Sequence, residues 1–268
     1  MLIGVGNRKI TTTLLCDTTC QLYLEHLETT RNKKAPPLGF VSIVSPTFNE
    51  RDNVLPLVER ISKTMFDRRY EIIFVDDSSQ DGTTEIAEEL SQKYPVKVLI
   101  RDKKLGLASA ILTGFEYARG DIIGVIDADL QHPPEAIKQC VEAIERDYCD
   151  IAVGSRYTMG GEIEGWSRSR LLTSKIAILL AKPLVGKVKD PMSGFFFLKR
   201  SVIERVALNP TGYKLGLEIL VKGNYKEVKE IPYAFQKRKN GVSKLNNKEI
   251  LLYLRLLKDL YIYKISRW

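Results

Sequence analysis

Histidine and cysteine are scarce in this sequence of 268 residues, and their positions argue against several kinds of chemistry. The four cysteines stand at positions 16, 20, 140 and 149, in spacings that match neither a zinc site nor a Cys-x-x-Cys redox motif. We interpret them as free, mostly structural thiols of a reducing compartment. Only two histidines are present, and no Ser-His-Asp arrangement accompanies them. The sequence therefore favours neither a zinc protein nor a nucleophilic triad.

Long hydrophobic runs and glycine-rich phosphate loops are missing as well. No run reaches 18 apolar residues, so we predict no transmembrane helix, and the N-terminus lacks the pattern of a signal peptide. We expect the protein in the cytosol or on the cytosolic face of a membrane. Neither G-x-G-x-x-G nor G-x-x-x-x-G-K-[ST] occurs, so a bound nucleotide would have to be held by a metal ion and basic side chains.

Charge is abundant and unevenly distributed, with a net value of +8. Residues 40–150 hold 13 basic and 21 acidic side chains, whereas residues 151–268 hold 23 basic and 9 acidic ones. This asymmetry suits a cation on one side of a site and anionic partners on the other. The basic residues are scattered and match no helix-turn-helix or zinc-finger spacing, so we do not expect nucleic acid as a partner.

Strand and helix patterns alternate from residue 40 onwards. Apolar strands are predicted at 41–45, 71–75, 96–100, from 122, and at 151–154. A first helix is predicted from a cap at Asp52 or Asn53 to about residue 64, and further helices are predicted at 83–93, 106–118 and 134–146. This alternation is typical of an α/β fold with an open, mostly parallel sheet flanked by helices. We divide the chain into a flexible extension (1–39), a globular domain (40–245) and a C-terminal amphipathic helix (246–268).

Polar residues follow three of the predicted strands, at 49–50, 76–77 and 127–129. In open α/β sheets, ligands bind beyond the carboxyl ends of the strands, so we expect these clusters to line one edge of the sheet. In an extended backbone, Asp127, Asp129 and Gln131 would point to the same face. Their oxygen atoms suit Mg²⁺ or Mn²⁺ together with substrate phosphates. The alternative is a solvated strand end whose aspartates start a turn or cap a helix.

Six motifs resemble those of family 2 glycosyltransferases of the GT-A fold, and within them the dolichyl-phosphate mannosyltransferases. They are PTFNE (46–50), VDDSSQDG (75–82), DADLQHPP (127–134), GSRY (154–157), DPMSGFF (190–196) and RKNGVSKL (238–245). The first two are shared by many glycosyltransferases, and the others are more specific to transferases that use polyprenyl phosphates. The resemblance covers the chain from about residue 40 to its end.

The resemblance implies a role for each matching residue. Lining the nucleoside pocket would be Pro46, Phe48, Glu50 and Asp77, with Asp76 close by. The cation at the donor diphosphate would be held by Asp127, Asp129 and Gln131. Donor phosphates would be approached from a closing loop by Arg238 and Lys244. The lipid phosphate would be received by Arg156, Arg170 and Ser174. Catalytic roles would fall to Asp129, Arg156 and Arg238. We interpret Asp190 as the cap of a turn before Pro191.

The implied reaction is an inverting, metal-dependent transfer of mannose from GDP-mannose to dolichyl phosphate, which gives a lipid-linked sugar for protein glycosylation. The lack of an obvious general base fits this acceptor, because a phosphate monoester has a second pKa of about 6 and is already anionic near neutral pH. The metal and arginine would stabilise the leaving diphosphate electrostatically.

Two amphipathic segments, at 168–187 and 248–268, carry apolar side chains between basic ones. Their pattern suits helices lying in a membrane interface, although such helices often cover only their own core. The chain ends where some members of the family continue with transmembrane helices. We therefore expect peripheral attachment through these segments or through a small membrane-anchoring subunit.

Other functions remain open on the sequence alone. The alternative within the same class is a glycosyltransferase that uses UDP-glucose as the donor, or one that uses a bacterial undecaprenyl phosphate as the acceptor. A nucleotidyltransferase would normally open with a glycine-rich basic loop, which is not visible after the first strand. A non-catalytic membrane scaffold is disfavoured, because Asp127, Asp129 and Arg238 are intact.

Overall fold

The computed structural model describes residues 39–209, 213–237 and 247–266. The extension predicted for residues 1–39 lies outside these ranges apart from its last residue, and so do Arg238 and Lys244. Within the described ranges the chain forms nine β-strands, seven α-helices and a short 3-10 helix at Arg200–Val202.

Seven strands form one sheet, and two short strands form a second. In chain order they are β1 (Val41–Thr47), β2 (Tyr70–Asp76), β3 (Val96–Ile100), β4 (Ile122–Val125), β5 (Ile151–Ser155), β6 (Glu162–Ile163), β7 (Phe196–Lys199), β8 (Val228–Pro232) and β9 (Ala234–Phe235). The large sheet has the order β3-β2-β1-β4-β7-β5-β8, and β7 alone runs antiparallel to its neighbours. The small sheet pairs β6 with β9 in parallel. The open, mostly parallel sheet predicted from the sequence is confirmed.

The first four helices follow the predicted alternation, the fifth and seventh lie in the two predicted amphipathic segments, and the sixth was not predicted. The helices are α1 (Arg51–Thr64), α2 (Thr83–Ser91), α3 (Leu107–Tyr117), α4 (Ala136–Glu145), α5 (Arg168–Val185), α6 (Leu215–Lys222) and α7 (Asn247–Ile265). The predicted cap of α1 is wrong, because the helix already begins at Arg51. Its first backbone N–H donates to Asp81 Oδ2 at 3.2 Å. A carboxylate from the loop after β2 therefore satisfies the helix N-terminus in place of a local side chain.

The core lies on both faces of the large sheet, because neighbouring strand residues point to opposite faces. Ile43 belongs to the cluster that contains the buried side chains of α1, α2 and α4, and Val44 belongs to the cluster that contains those of α3 and α6. Gly124 in β4 is opposite Phe197 in β7. A Cβ atom at Gly124 would lie 2.0 Å from Cε1 of Phe197, so only glycine permits this antiparallel pairing. A third apolar cluster joins α5, α6 and α7.

The parallel strands β1, β2 and β4 run in the same direction and end at Thr47, Asp76 and Val125. The loops that follow these strands therefore meet at one edge of the sheet. The three polar clusters predicted from the sequence lie in or beside these loops.

Candidate active site

A single open cavity of about 840 Å³ extends from this edge of the sheet to the layer of α5, α6 and α7. Ten of the residues predicted for the site line it: Pro46, Phe48, Glu50, Asp77, Asp127, Asp129, Gln131, Arg156, Arg170 and Ser174. The structure thus brings together residues that are up to 128 positions apart, since Pro46 and Ser174 line the same space. A volume of this size accommodates a ligand larger than a simple sugar.

Asp76 is the described member of the predicted set that does not line the cavity. Its carboxylate accepts hydrogen bonds from Thr47 Oγ1 at 2.9 Å and from Ser79 Oγ at 2.6 Å, and it is fully buried. Asp76 therefore ties the end of β1 to the loop after β2. It supports this end of the cavity from behind, close to the lining residues Pro46 and Asp77.

Two basic residues that sequence reasoning missed lie at or beside the end of the cavity that Asp77 lines. Arg101 forms an ion pair with Asp77, and the backbone N–H of Gly106 donates to Asp77 Oδ2 at 3.1 Å. Lys104 Nζ lies 3.5 Å from the centre of the Phe48 ring. The basic residues at 101, 103 and 104, directly after β3, are the signal in the sequence that could have identified them.

The carboxylate pair lies where it was predicted, but the local backbone differs from the prediction. The strand β4 ends at Val125, and Ala128 and Asp129 form a turn followed by Leu130 with φ at 59°. Asp129 Oδ1 accepts from the backbone N–H of Gln131 at 3.1 Å. The chain is therefore folded back rather than extended, and the turn brings Asp127, Asp129 and Gln131 to one cavity.

The donor set of this turn fits a hard divalent cation. Two carboxylates and one amide belong to the oxygen ligands that Mg²⁺ and Mn²⁺ accept, with substrate phosphates as further ligands. Gln131 Nε2 donates to the carbonyl of Gln236 at 3.0 Å, which fixes the orientation of the amide. In the described ranges, no three His, Cys, Asp or Glu side chains group closely enough to form a complete metal site from protein carboxylates and imidazoles alone.

His132 is buried beside the carboxylate pair and is neutral at physiological pH. Its Nδ1 lies 3.5 Å from Asp127 Oδ2, and its ring stacks on Phe195 with a centroid distance of 5.6 Å. Tyr233 and Phe235 meet the same ring edge-on. Burial lowers the pKa of His132 to about 4, against the opposing effect of Asp129. The imidazole therefore packs the floor of the site as an uncharged ring.

Arg156 is held by Asp190, and this corrects the interpretation of Asp190 as a turn cap. Arg156 Nε and Nη2 donate to Asp190 Oδ2 and Oδ1, both at 2.7 Å, and the backbone N–H of Arg156 donates to Oδ2 at 3.0 Å. The backbone N–H of Asp190 in turn donates to Glu230 Oε1 at 2.9 Å. Burial opposes the charge of Arg156, but its hydrogen bonds with Asp190 outweigh burial and raise the pKa above its ordinary value.

Trp166 connects Arg156 with the predicted acceptor residues of α5. The guanidinium of Arg156 lies 5.1 Å from the Trp166 ring centre, and that of Arg170 lies 4.2 Å from it. Ser174 is one helical turn after Arg170 and accepts from the Tyr157 hydroxyl at 2.9 Å. Aromatic faces thus orient two guanidinium groups towards the same part of the cavity, as cation–π attraction favours.

Lys214, at the start of α6, is a further cation of the cavity that sequence reasoning missed. Its Nζ donates to the Met192 carbonyl at 2.8 Å. Burial, with the positive charge of Arg156 as the next cause, lowers the pKa of Lys214 to about 8. No motif surrounds it in the sequence, so only the basic character of residues 151–268 pointed to it.

The helices α5 and α7 pack against each other and close the far side of the cavity. Tyr253 and Tyr261 of α7 donate to the carbonyls of Ala177 and Leu180 of α5, at 2.6 and 2.8 Å. Their outer faces expose large apolar side chains: Leu172, Ile176, Leu179, Leu180, Ile250, Leu251, Leu254, Ile262 and Ile265. Among the described helices, none combines the length and the apolar character needed to span a bilayer.

Comparison with known families identifies the class of this site. Residues 42–207 match the family model "Glycosyl transferase family 2". The chain belongs to this family, and it is therefore a glycosyltransferase.

Two curated relatives are similar over most of the chain. It is 49% identical over 231 residues to a dolichol-phosphate mannosyltransferase of Pyrococcus furiosus, covering 85% of this chain and 64% of that relative. It is 38% identical over 238 residues to a dolichol-phosphate mannosyltransferase of Saccharomyces cerevisiae, covering 84% of this chain and 88% of that one. The chain thus spans slightly less than two thirds of the first relative and most of the second. The family resemblance predicted from the six motifs is confirmed.

Solved structures share the fold at low sequence identity. Glucosyl-3-phosphoglycerate synthase of Mycobacterium tuberculosis, in complex with Mn²⁺, UDP and glucosyl-3-phosphoglycerate, superposes with a TM-score of 0.61 at 19% identity. The match covers 84% of this chain and 79% of that chain. The same enzyme in complex with Mg²⁺ and UDP also gives a TM-score of 0.61. These matches confirm the predicted GT-A fold.

Proposed function

We propose that this glycosyltransferase transfers mannose from GDP-mannose to the phosphate of dolichyl phosphate or a related polyprenyl phosphate, with inversion at the anomeric carbon. The observation that carries the proposal is one cavity lined by Asp77, Asp127 and Asp129 at the edge of the sheet and by Arg156, Arg170 and Lys214 towards α5 and α6. A nucleotide-sugar bound through a cation fits the first end, and a lipid phosphate fits the second. The named activity of the relatives supports the same assignment.

The chemistry requires no general base from the protein. An oxygen of the acceptor phosphate is already anionic near pH 7 and attacks the anomeric carbon of the donor. A new carbon–oxygen bond forms while the bond to the donor diphosphate breaks, and GDP leaves with the bonding electrons. His132, the titratable imidazole at the site, is neutral and packed between aromatic rings, which is consistent with a reaction that moves no proton.

Asp127, Asp129 and Gln131 would hold Mg²⁺ or Mn²⁺. When bound, such an ion supplies positive charge that stabilises the leaving diphosphate. At the acceptor phosphate, the positively charged groups are the guanidinium of Arg156, which Asp190 fixes in place, and that of Arg170. The roles of Arg238 and Lys244 at the donor phosphates remain predictions, because both residues lie outside the described ranges.

The exposed apolar faces of α5 and α7 support a place at a membrane surface, and the cytosolic side of that membrane stays a prediction. The mouth of the cavity is lined by Thr173 and Ala177 of α5 and by Leu252 and Tyr253 of α7. A lipid whose phosphate enters the cavity here keeps its chain beside the apolar helix faces, where an interfacial helix buries such side chains. A separate anchoring subunit remains a prediction.

The test is transfer of radiolabel from GDP-mannose or from UDP-glucose to dolichyl phosphate, with Mg²⁺, Mn²⁺ or EDTA. We expect label to move from GDP-mannose into lipid with either metal, and to stop with EDTA. Asp127→Asn should abolish transfer, whereas Asp52→Asn, on the exposed start of α1, should leave it unchanged. Transfer from UDP-glucose alone would overturn the donor assignment, and transfer from neither donor would overturn the proposed activity.

A further inference from the structure

The positive charges of Lys214 and Arg156 have different partners in the protein. The salt bridges within the described part of the chain give Arg156 a buried partner in Asp190 and give Lys214 no carboxylate within 4.0 Å. The Lys214 ammonium donates to the Met192 carbonyl at 2.8 Å and lies 4.5 Å from the centre of the Tyr213 ring. An ammonium group has three donors, so two of them are not used by the carbonyl. A cation with so little compensation in a cavity is suited to an anionic ligand.

The position of Lys214 connects the two ends of the cavity. Its partner Met192 belongs to the segment whose Asp190 holds Arg156. Gly194 of the same segment lies against the metal-side carboxylate, because a Cβ atom there would be 3.5 Å from Asp127 Oδ2. The ammonium therefore contacts the segment at 190–194, which connects the carboxylates that would hold the metal with the arginine of the acceptor end. An anion held there would lie beside both.

We propose that Lys214 binds the phosphate of the polyprenyl acceptor and positions its attacking oxygen beside the donor sugar, together with Arg170 and Ser174. This inference rests on the proposed function and makes it more specific, because it assigns the acceptor phosphate to a residue outside the six motifs. The phosphates of the donor have the same chemistry, and the experiment below separates the two.

The inference has a consequence for pH dependence. Lys214 loses its charge in the ligand-free protein as the pH rises through about 8, since burial and Arg156 lower its pKa to about 8. The titratable and charged groups that face it are Arg156, Arg170, Asp127, Asp190, His132, Tyr213 and Glu249. None of these side-chain types ordinarily titrates between pH 7 and 9. His132 is already neutral there, and burial raises the pKa of Tyr213. Affinity for the acceptor phosphate should therefore fall between pH 7 and 9.

The experiment compares the full chain with its Lys214→Met and Lys214→Arg variants. The first readout is direct binding of farnesyl phosphate, a short polyprenyl phosphate, by calorimetry without donor. We expect Lys214→Met to weaken binding about ten-fold or more at pH 7, as loss of a charge-assisted hydrogen bond does. Lys214→Arg should restore most of the affinity and remove its decline between pH 7 and 9. Lys226→Met, at an exposed lysine after α6, is the matched control and should bind like the unaltered chain.

The second readout is transfer of mannose, with the concentrations of acceptor and donor varied separately. Lys214→Met should raise KM for the lipid phosphate and leave KM for GDP-mannose unchanged. A change confined to GDP-mannose would assign Lys214 to the donor and overturn the inference. Undiminished binding of farnesyl phosphate by Lys214→Met would overturn it as well, and so would a lack of binding by the unaltered chain. Failure of the proposed function is seen separately, as farnesyl phosphate binding without transfer of mannose.

Discussion

Asp190 accepts two parallel hydrogen bonds of 2.7 Å from Arg156, although the two residues are 34 positions apart in the chain. Asp190 is fully buried and Arg156 nearly so. A bidentate pair of this kind fixes both the position and the plane of the guanidinium. In the proposed reaction, the guanidinium of Arg156 is therefore already fixed before a phosphate binds, and binding costs little further side-chain entropy.

Asp190→Asn should destabilise the protein and impair acceptor binding. The substitution leaves the Arg156 charge buried without a counter-charge, which typically costs about 3–5 kcal/mol. We expect this loss in the free energy of unfolding, measured with urea. Because Asp190 acts through Arg156, KM for the lipid phosphate should rise more than KM for GDP-mannose.

Asp147→Asn is the control for this prediction, since Asp147 forms an exposed ion pair with Lys199 away from the cavity. It should change neither the stability nor either KM measurably. Unfolding of Asp190→Asn at the same urea concentration as the unaltered chain would show that the buried pair is not important for stability.

The sequence predicted five of the nine described strands, β1 to β5, because each of them contains a short apolar run. Strands β6 to β9 were not predicted, since short or charged segments such as Glu162–Ile163 and Val228–Pro232 lack such a run. The run at 71–75, for example, became β2 with one further residue at each end. The neighbouring position of Asp127 and Asp129 at the cavity was also predictable, because both follow β4 directly. The reason offered was wrong, since a turn rather than an extended backbone brings them together.

Apart from this turn, the contacts that sequence reasoning missed are between residues distant in the chain. Asp81 satisfies the N-terminus of α1 from 30 positions away, and Asp190, in the loop before β7, binds Arg156, which directly follows β5. Such partners depend on how the strands are ordered in the sheet, which local pattern does not determine. Lys214 was missed for a related reason. A lysine is normally solvated, and only the packing of α6 places this one in a cavity.

His132 should make the protein less stable in mild acid. Its pKa is about 4 when folded, below the ordinary value of 6.5, so the unfolded chain binds more protons between these values. Stability is therefore fully present above pH 6.5 and is lost progressively as the pH falls towards 4. Below about pH 4, the loss in the free energy of unfolding reaches about 3 kcal/mol.

The measurement is urea unfolding between pH 4 and 7 for the unaltered chain and for His132→Phe, which keeps an aromatic ring between Phe195 and Tyr233. The variant should lose less stability on acidification than the unaltered chain does. Parallel pH curves for the two proteins would contradict the depressed pKa of His132, because any shared acid sensitivity then comes from other groups.

The outer faces of α5 and α7 should bind lipid bilayers. Leu172 and Leu179 of α5 are 60% and 71% exposed, and burial of a leucine side chain contributes about 1.5–3 kcal/mol. The double variant Leu172→Gln and Leu179→Gln should therefore bind liposomes at least ten-fold more weakly, measured by flotation. Basic side chains on both helices, such as Lys175 and Arg255, should strengthen binding to anionic lipids at low salt.

Phe66→Gln is the control, because Phe66 is 79% exposed in the loop after α1, outside both helices. Equal flotation of all three proteins would show that these helix faces do not contact lipid, and their apolar side chains would then need another partner.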